Sequence, residues 1–448
     1  MAQRQYPHEL RIHTTVDPPA AAACLARSAT FGSFVVYERH GVWTFAGGAA
    51  GEVILDRAGF RVRWGAHERR LPVSHDPSRD LARIMADAPV EDWSLYGWAG
   101  FEYAYAQAGM RDLLDDGTLL HMVVPQVEIK MSANHVVLRG SDHRLLQILA
   151  DVVQNAPADP YPEPSPVSVD EIGADAYRDA VAAVVRDIDN GKLRKAIVSR
   201  AVPVAFDVDL VATYLVGRRH NTPSRSFLLR LGDLTAAGFS PETVVEVDPD
   251  GSVRSHPLAG TRAFFPLDRA RTARLRADLL GDPKEVFEHA ISVQLACEEL
   301  ARICAPDSVR VEEFMNVLER GSVQHLASAV SGRLAVGMDS WDAFAALFPA
   351  VTASGIPKRA AFEAIHRYEP GPRGLYSGAV LTADARGGLD AALVLRTVFR
   401  RADRTWLQAG AGIVAGSTPA RELEETCEKM RSVAQFLVPE SATAMAAG

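Results

Sequence analysis

Two pairs of glutamates, far apart in the chain, have the spacing of carboxylates on one face of a helix. Glu422 and Glu425 lie three residues apart, with Lys429 four residues further on, and Glu285 and Glu288 repeat the three-residue spacing. Residues three or four apart in a helix point the same way. If the two helices meet, their carboxylates repel unless a cation lies between them, and carboxylate oxygens are ligands that suit Mg²⁺. If they do not meet, each pair belongs to an ordinary solvated helix face.

Four more candidate residues are polar side chains in or beside apolar strands. Lys195 begins an apolar run, either as an edge lysine with a buried stem or as a catalytic amine. Glu242 follows a predicted strand pair, where a carboxyl caps a helix or acts as a general acid. Arg396 lies inside the predicted buried strand 391–398. Because a buried charge is costly without a partner, we expect a carboxylate of the protein or of a ligand beside it. His325 lies in a predicted strand, where a structural role is the ordinary interpretation.

The second glutamate pair follows a glycine-rich stretch. An apolar strand begins near Trp406, and we expect Gly410, Gly412 and Gly416 to form a sharp turn that brings the backbone close to a ligand. Pro419 then falls in the first turn of the helix that carries the pair. The glycines also match part of the fingerprint of dinucleotide-binding oxidoreductases, but that site requires a βαβ unit. Only one helix is predicted after the glycines, so this is the remote alternative.

The rest of the chain supplies the framework. Residues 1–165 alternate short predicted strands with turns and arrange no reactive groups, so we predict a sheet framework within the same globular unit. Five prolines between positions 157 and 166 mark a linker or surface crossing. A helix is predicted over about 284–304, where it carries the first glutamate pair. We predict that the catalytic region spans 166–439 and that 440–448 form a C-terminal tail.

Composition excludes several classes of protein. The 448 residues are 48% hydrophobic and 23% charged, which is ordinary for a globular protein, and the net charge is −8. No basic block indicates nucleic-acid binding, and no apolar run approaches the roughly 18 residues of a membrane span. The four cysteines form no CxxC pair, so neither a zinc site nor a disulfide framework is predicted. We therefore expect a soluble cytoplasmic protein that binds neither nucleic acid nor membrane.

Taken together, these motifs resemble those of the chorismate-utilising enzymes. The similarity extends from about Asp175 to Leu437 and rests on motifs in matching order. They are Lys195-Ala-Ile-Val-Ser-Arg200, Ser240-Pro-Glu242, Leu258-Ala-Gly-Thr-Arg262, Lys284-Glu-Val-Phe-Glu-His289, Ser322-Val-Gln-His325, Arg373-Gly-Leu-Tyr-Ser-Gly378, Gly410-Ala-Gly-Ile413 and Glu422-Leu-Glu-Glu425. Within the family the chain is most similar to the salicylate synthases of siderophore pathways, the mycobactin type especially. One departure is Ala420, where many relatives carry an acidic residue.

The resemblance implies a fold and an activity. The fold is α+β and like that of anthranilate synthase component I, with two packed antiparallel sheets and helices outside. The activity is the conversion of chorismate through isochorismate to salicylate and pyruvate for siderophore biosynthesis. The nearest alternative is an isochorismate synthase that releases isochorismate. Amidotransferase-dependent relatives usually have Gln at the position of Lys195, so we expect no amidotransferase subunit, and we expect a monomer.

The resemblance also implies roles for individual residues. Lys195 is similar to the general base of the family and Glu242 to its general acid. The implied cofactor is Mg²⁺, held by Glu288 and Glu425 with Glu285 and Glu422 in support. Arg396 and Tyr376 match residues that hold the pyruvyl carboxylate of the substrate. The complete set of implied substrate-binding residues is Gly260, Thr261, His325, Thr352, Tyr376, Leu395, Arg396, Gly410 and Lys429.

Overall fold

The computed structural model describes residues 3–157, 161–321 and 323–440. Apart from Glu440, the predicted tail 440–448 lies outside the described residues. The strands are β1 Gln3–Arg4, β2 His8–His13, β3 Phe34–Arg39, β4 Val42–Gly47, β5 Gly51–Asp56, β6 Gly59–Trp64, β7 His67–Leu71, β8 Val90–Glu91, β9 Ser94–Ala99, β10 Leu120–Val124, β11 Val127–Met131, β12 His135–Gly140, β13 Lys195–Pro203, β14 Arg225–Leu231, β15 Leu234–Ser240, β16 Thr243–Val247, β17 Ser252–Ser255, β18 Leu258–Ala263, β19 Arg310–Arg320, β20 Val323–Arg333, β21 Gly355–Ile356, β22 Ala379–Asp384, β23 Leu389–Leu393, β24 Thr397–Arg401 and β25 Arg404–Ile413. The α-helices are α1 Pro18–Arg27, α2 Pro77–Ala86, α3 Tyr103–Gln107, α4 His143–Gln154, α5 Ala174–Asp189, α6 Leu210–His220, α7 Arg269–Gly281, α8 Pro283–Ala301, α9 Ser340–Leu347, α10 Lys358–Tyr368 and α11 Pro419–Ala434.

Two large sheets organise the described residues. The first has the strand order β18-β20-β17-β16-β23-β22-β9-β10-β5-β6-β7, with β19 paired to β20. The second has the order β2-β12-β11-β4-β3-β14-β15-β24-β25-β13-β21. Neighbouring strands run antiparallel in both, as in the pairs of β13 with β25 and of β18 with β20. The predicted architecture of two antiparallel sheets is confirmed.

The layers follow from the alternation of side chains along the strands. On β3, Phe34 and Val36 contribute to a core between the second sheet and its helices, whereas Val35 and Tyr37 contribute to a core between the two sheets. A third core lies between the first sheet and helices that include α8 and α9. Because both faces are covered at the middle of each sheet, central strands such as β15 and β23 are buried along their whole length, whereas the outlying β7 and β19 are largely exposed.

Strands from both parts of the chain build both sheets. β3 pairs with β14 in the second sheet, and β9 pairs with β22 in the first. The framework predicted within residues 1–165 therefore shares its ladders with the predicted catalytic region. The boundary at 165/166 stays a prediction.

Two local predictions are wrong. Residues 391–398 are not one strand, because β23 ends at Leu393 and β24 begins at Thr397 in the other sheet, and Arg396 between them has a φ of 49°. Gly410 and Gly412 do not form a turn, because they lie within the ten-residue strand β25, and only Gly416 has a positive φ, of 87°. β25 pairs antiparallel with β13 and β24, so the βαβ unit of a dinucleotide site does not form there.

A buried ion network joins the two sheets. Arg225 on β14 places Nη2 2.7 Å from Asp390 Oδ2 on β23 and 3.1 Å from Glu246 Oε1 on β16. The hydroxyl of Tyr37 on β3 also donates to Asp390. Burial alone would raise the pKa of Asp390, but its hydrogen bonds to Arg225 and the Arg225 charge outweigh burial and lower that pKa. The network ties strands of one sheet to strands of the other.

We expect Arg225→Leu to lower the free energy of unfolding by about 3–5 kcal/mol, because it removes the buried cation of Asp390 and Glu246 and leaves them only the partly exposed Arg39. Thermal melting followed by circular dichroism measures the loss. The exposed Arg69→Leu serves as the control. Adding Asp390→Asn to Arg225→Leu should recover part of the loss, and a melting temperature equal to that of the unsubstituted chain would contradict the assigned role of the network.

Candidate active site

A cavity lies where β13 and β25 of the second sheet approach β18 and β20 of the first, beside α8 and α11. Its empty volume is about 790 Å³, including the part open to solvent. All nine of the predicted substrate-binding residues line it, together with Glu242, Glu288 and Glu425. The other wall residues include Ile197, Pro241, Leu258, Ala259, Gln408 and Gly412. The fold thus brings into one cavity residues that are up to 236 positions apart, from Ile197 to Val433.

The four predicted metal-binding glutamates are buried and face cations. Glu285 and Glu288 lie on α8, and Glu422 and Glu425 lie on α11. Lys284, also on α8, places Nζ 3.0 Å from Glu422 Oε1 and so joins the two helices. Burial excludes the alternative that these pairs are solvated helix faces.

The remaining cations come from three elements around the cluster. Lys195 Nζ is 3.0 Å from Glu288 Oε1, and Lys429 Nζ is 2.8 Å from Glu425 Oε1. Arg262 Nη1 is 3.1 Å from Glu285 Oε1. Four carboxylates are therefore balanced by four cations, since Lys284 pairs with the fourth.

The cluster has the chemistry of a magnesium site. Both carboxylate oxygens of Glu422 are buried and accept no hydrogen bond, because Lys284 Nζ approaches Oε1 closely but outside hydrogen-bond geometry. Buried oxygens without donors and a set of hard ligands suit Mg²⁺. Within the described ranges, no three His, Cys, Asp or Glu side chains have the spacing of an assembled metal-binding group. Glu288 and Glu425 are each paired with a lysine. A metal ion could therefore bind both carboxylates only if they gave up part of their contacts with Lys195 and Lys429.

Two neighbouring carboxyls in the cluster, those of Glu422 and Glu425, have pKa values shifted in opposite directions. Burial raises the pKa of Glu422, and the charge of Glu425 raises it further. Burial would also raise the pKa of Glu425, but the Lys429 and Lys284 ammonium groups outweigh burial and lower it. The two carboxyls resist simultaneous ionisation, as expected for like charges that a divalent cation would stabilise.

Gly412 makes room for Glu288, although its sequence context predicted a turn glycine and not a site residue. A Cβ atom at this position would lie 2.0 Å from Glu288 Oε1. Gly410 and Gly412 occupy alternate positions of β25, so they share one face of the strand. The period of two between the glycines was the available signal for a close approach. Ser292, which contacts Lys195, carried no comparable signal.

The two predicted catalytic groups lie in different surroundings. Lys195 is fully buried, so it is not an edge lysine, and its Nζ lies 3.0 Å from both Glu288 Oε1 and Ser292 Oγ. It does not line the cavity directly but lies behind Glu288. Glu242 lines the cavity and accepts a 2.6 Å hydrogen bond from Thr352 Oγ1. Burial raises the pKa of Glu242 to about 8, so its carboxyl is protonated at neutral pH.

Arg396 reaches the cavity with His325 beside it. Its Nη1 donates to the Arg320 carbonyl at 2.9 Å, and its Nη2 lies against His325 Nε2. Burial, followed by the Arg396 charge, holds the pKa of His325 well below its usual range, so the ring is neutral. Because a guanidinium only donates, Nε2 accepts and Nδ1 carries the proton, 3.2 Å from both the Gly260 carbonyl and Thr261 Oγ1.

No carboxylate in the described part of the chain forms an ion pair with Arg396. Burial and the nearby charge of Arg320 lower the pKa of Arg396 to about 9. Of the two partners expected for Arg396, a carboxylate of the protein is therefore excluded among the described residues. A buried guanidinium without a counter-ion, facing a cavity, suits the carboxylate of a ligand.

A model of the chorismate binding enzyme family matches residues 54–435. This chain belongs to that family. A protein named salicylate synthase from Mycolicibacterium paratuberculosis is 44% identical over 433 residues, which cover 94% of each chain. Among solved structures, anthranilate synthase component I from Streptococcus pneumoniae TIGR4 superposes with a TM-score of 0.73 at 24% identity, covering 88% of this chain and 92% of that one.

A second solved structure with a similar fold is MenF, the menaquinone-specific isochorismate synthase from Escherichia coli. Its TM-score is 0.72 at 20% identity, and the match covers 97% of this chain and 96% of that one. Both the family and the fold that the motifs implied are thereby confirmed. The roles of individual site residues stay predictions.

We expect the Glu242 carboxyl to show a protonated C=O band in the infrared difference spectrum against Glu242→Gln at neutral pH. The band should disappear as the pH rises through about 8, because deprotonation converts the acid to a carboxylate. Thr352→Val should move this midpoint to higher pH, because the Thr352 hydroxyl donates to the carboxylate and favours it. A spectrum with no acid band at pH 7 would contradict the assignment.

Proposed function

We propose that this chain is a salicylate synthase, which converts chorismate through isochorismate to salicylate and pyruvate. The proposal rests chiefly on one observation. A protonated carboxyl, a guanidinium without a counter-ion among the described residues and part of a buried carboxylate cluster meet in a single cavity. These are Glu242, Arg396 and the cluster of glutamates on α8 and α11, of which Glu288 and Glu425 line the cavity. The 44% identity to a protein named salicylate synthase, over nearly the whole of both chains, supports the same proposal.

The first step is the isomerisation of chorismate. Water adds at C2 of the ring and the C4 hydroxyl leaves as water, with the double bonds shifting between them. Glu242 gives its proton to the departing hydroxyl, which requires a carboxyl that is protonated near neutral pH. Lys195 takes a proton from the attacking water. To act as a base, its ammonium must first lose its own proton and release Glu288, whose Oε1 lies 3.0 Å from Nζ and which lies between Lys195 and the cavity.

The second step is the loss of pyruvate from isochorismate. The hydrogen on C2 passes to the methylene carbon of the enolpyruvyl group while the ether C–O bond breaks, so pyruvate leaves and the ring becomes aromatic. This transfer is pericyclic and needs no proton carrier. The protein contributes a cavity that holds the enolpyruvyl group of the substrate over its ring. Arg396 and the buried Tyr376 would hold the pyruvyl carboxylate, a charge-assisted contact.

Mg²⁺ is the proposed cofactor. Glu288 and Glu425 would hold it, with Glu285 and Glu422 in support, and when bound it would neutralise the ring carboxylate of the substrate. The neutral His325 keeps the Arg396 guanidinium in place and orients Thr261 through its protonated Nδ1. We assign His325 this positioning role.

The remaining proposals concern the setting of the enzyme. We propose that it works in the cytoplasm as a monomer, without an amidotransferase subunit, and that its product enters siderophore biosynthesis. In the described ranges no helix has both the length and the apolar character needed to cross a lipid bilayer. An isochorismate synthase that stops after the first step is the alternative function, and the MenF fold similarity favours considering it.

Product analysis tests the function directly. The purified chain is incubated with chorismate and Mg²⁺, and the products are separated by chromatography and identified by mass. Salicylate and pyruvate in equal amounts are the expected result. Isochorismate alone would support the alternative, and unchanged chorismate with active MenF as the positive control would contradict both functions.

We expect Lys195→Ala to lower the rate of isochorismate formation from chorismate by a factor of about 10² to 10⁴, the usual contribution of a general base. Elimination of pyruvate from supplied isochorismate should fall much less, because that step needs no base. Lys192→Ala, which removes a partly exposed lysine paired with Asp187, is the control. Retained turnover of chorismate by Lys195→Ala would exclude Lys195 as the base.

We expect Gly412→Ala to weaken Mg²⁺ binding by about 10-fold or more, because the added Cβ displaces Glu288. Isothermal titration of the substrate-free protein with MgCl₂ measures the affinity. Gly32→Ala is the matched control, since a Cβ there would have no atom within 4 Å. Equal Mg²⁺ affinities for both variants would remove Glu288 from the ligand set.

A further inference from the structure

The ladder between β21 and β13 ends at Ala196, and none of the described strands lies beside this edge of β13 further along. β21 pairs with β13 only through Lys195 and Ala196, and the Ile197 amide continues the contact by donating to the Ser354 carbonyl at 2.9 Å. The next backbone groups on this edge are the Ile197 carbonyl and the Ser199 amide, and no strand in the described ranges pairs with them. Both residues lie on the buried part of the strand, where an unpaired backbone group is costly.

A buried ion pair takes the place of the missing strand. Arg373 Nη2 donates to the Ile197 carbonyl at 2.6 Å, and Glu369 Oε1 accepts from the Ser199 amide at 2.7 Å. The two side chains bind each other through Arg373 Nε and Glu369 Oε2 at 3.0 Å and through Nη2 and Oε1 at 2.5 Å. The pair therefore fixes the edge of the strand that begins with Lys195.

The same guanidinium also holds the segment that contacts Glu242. Arg373 Nη1 donates to the Ala353 carbonyl at 2.8 Å, and the preceding residue, Thr352, donates to Glu242 Oε1 at 2.6 Å. One planar group thus bonds a carbonyl two residues from Lys195 and a carbonyl next to Thr352. Only a guanidinium has donors on three sides in one fixed plane.

Arg373 is itself fixed from the other part of the chain. The carboxylate of Glu102, which follows β9, accepts from the Arg373 amide at 2.7 Å and from the Gly374 amide at 3.0 Å. The Arg373 guanidinium also lies 4.4 Å from the ring centroid of Phe101. Its position is therefore set by several independent contacts, and the site described above uses none of them.

We propose that Arg373 is a positioning residue that sets the distance between the general base and the general acid. It acts through the Ile197 carbonyl on the strand of Lys195 and through the Ala353 carbonyl on the Thr352–Glu242 contact. This inference rests on the proposed function, in which only the isomerisation requires both groups at once. The elimination of pyruvate requires neither, so disturbing Arg373 affects the two steps unequally.

The decisive variant is Arg373→Lys, which keeps the charge beside Glu369 but cannot reach both carbonyls. We expect kcat for isomerisation of chorismate to fall by about 10- to 100-fold, since small misplacements of reacting groups cost this much. The KM for chorismate should stay within about three-fold, and elimination from supplied isochorismate should retain about a third or more of its rate. Arg225→Lys is the matched control, because it alters a comparably buried arginine whose partners, Asp390 and Glu246, do not line the cavity.

Chemical rescue provides a second measurement. A separate cavity, with an empty volume of about 1180 Å³ including its open mouth, is lined by Arg373, Glu369 and Ser199. Guanidinium ions from solvent can therefore reach the space left by Arg373→Ala. We expect millimolar guanidinium chloride to restore isomerisation in Arg373→Ala, and sodium chloride at the same concentration to have no effect. If Arg373→Ala does not fold, Glu369→Gln, which weakens the same pair, should show the same unequal loss in milder form.

Three outcomes would overturn the proposal. The first is an equal fall in the rates of both steps, accompanied by a fall in the melting temperature. This result would make Arg373 a purely structural residue. The second is an isomerisation rate that Arg373→Lys leaves unchanged, and the third is the same unequal loss in Arg225→Lys. Failure of the proposed function looks different, because the unsubstituted chain would then form no salicylate from chorismate, whether it released isochorismate alone or left chorismate unchanged.

Discussion

The burial of four carboxylates between α8 and α11 imposes a charge balance on the site. Each carboxylate taken out of water without a partner would cost several kcal/mol. The compensating cations come from different elements: Lys195 from β13, Arg262 from β18, Lys284 from α8 and Lys429 from α11. β13 and β18 belong to different sheets, so the balance exists only when both sheets and both helices are assembled. Folding of the sheets and assembly of the site are therefore one event.

The same balance separates the carboxyls into two kinds. Glu425 lies beside Lys429 and is held ionised, which suits a metal ligand. Glu242 lies in the cavity wall with a hydroxyl donor and no ion pair at hand, and burial keeps it protonated at neutral pH, which suits an acid. One residue type thus supplies two chemistries because its environments differ. The cations differ in the same way, since Lys195 pairs with Glu288 while Arg396 faces the cavity without a carboxylate partner among the described residues.

The motifs predicted which residues lie at the site better than they predicted how the fold positions them. The spacing of Glu285 with Glu288 and of Glu422 with Glu425 was sufficient to place each pair on one helix face, because helical spacing is a local property. Gly412 was interpreted as part of a turn, although its role is to leave space for a side chain from a helix more than a hundred residues away. The break at Arg396 was also missed, because an apolar run does not reveal that the chain passes from one sheet to the other within it. Arg373 had no predicted role, although Tyr376 of the same motif had one, because the partners of Arg373 lie on three distant segments.

By itself, the sequence determined the local elements, the residue types that carry chemistry and, through the resemblance of its motifs, the family and the two-sheet fold. These follow from spacing, periodicity and residue chemistry, which are written along the chain. Only the tertiary structure decided which cation meets which carboxylate, that Lys195 is held behind Glu288, and that Arg396 has no protein carboxylate beside it in the described ranges. Such pairings depend on distances between segments far apart in the chain, and the protonation of a buried group depends on every charge around it, so neither can be read from local spacing.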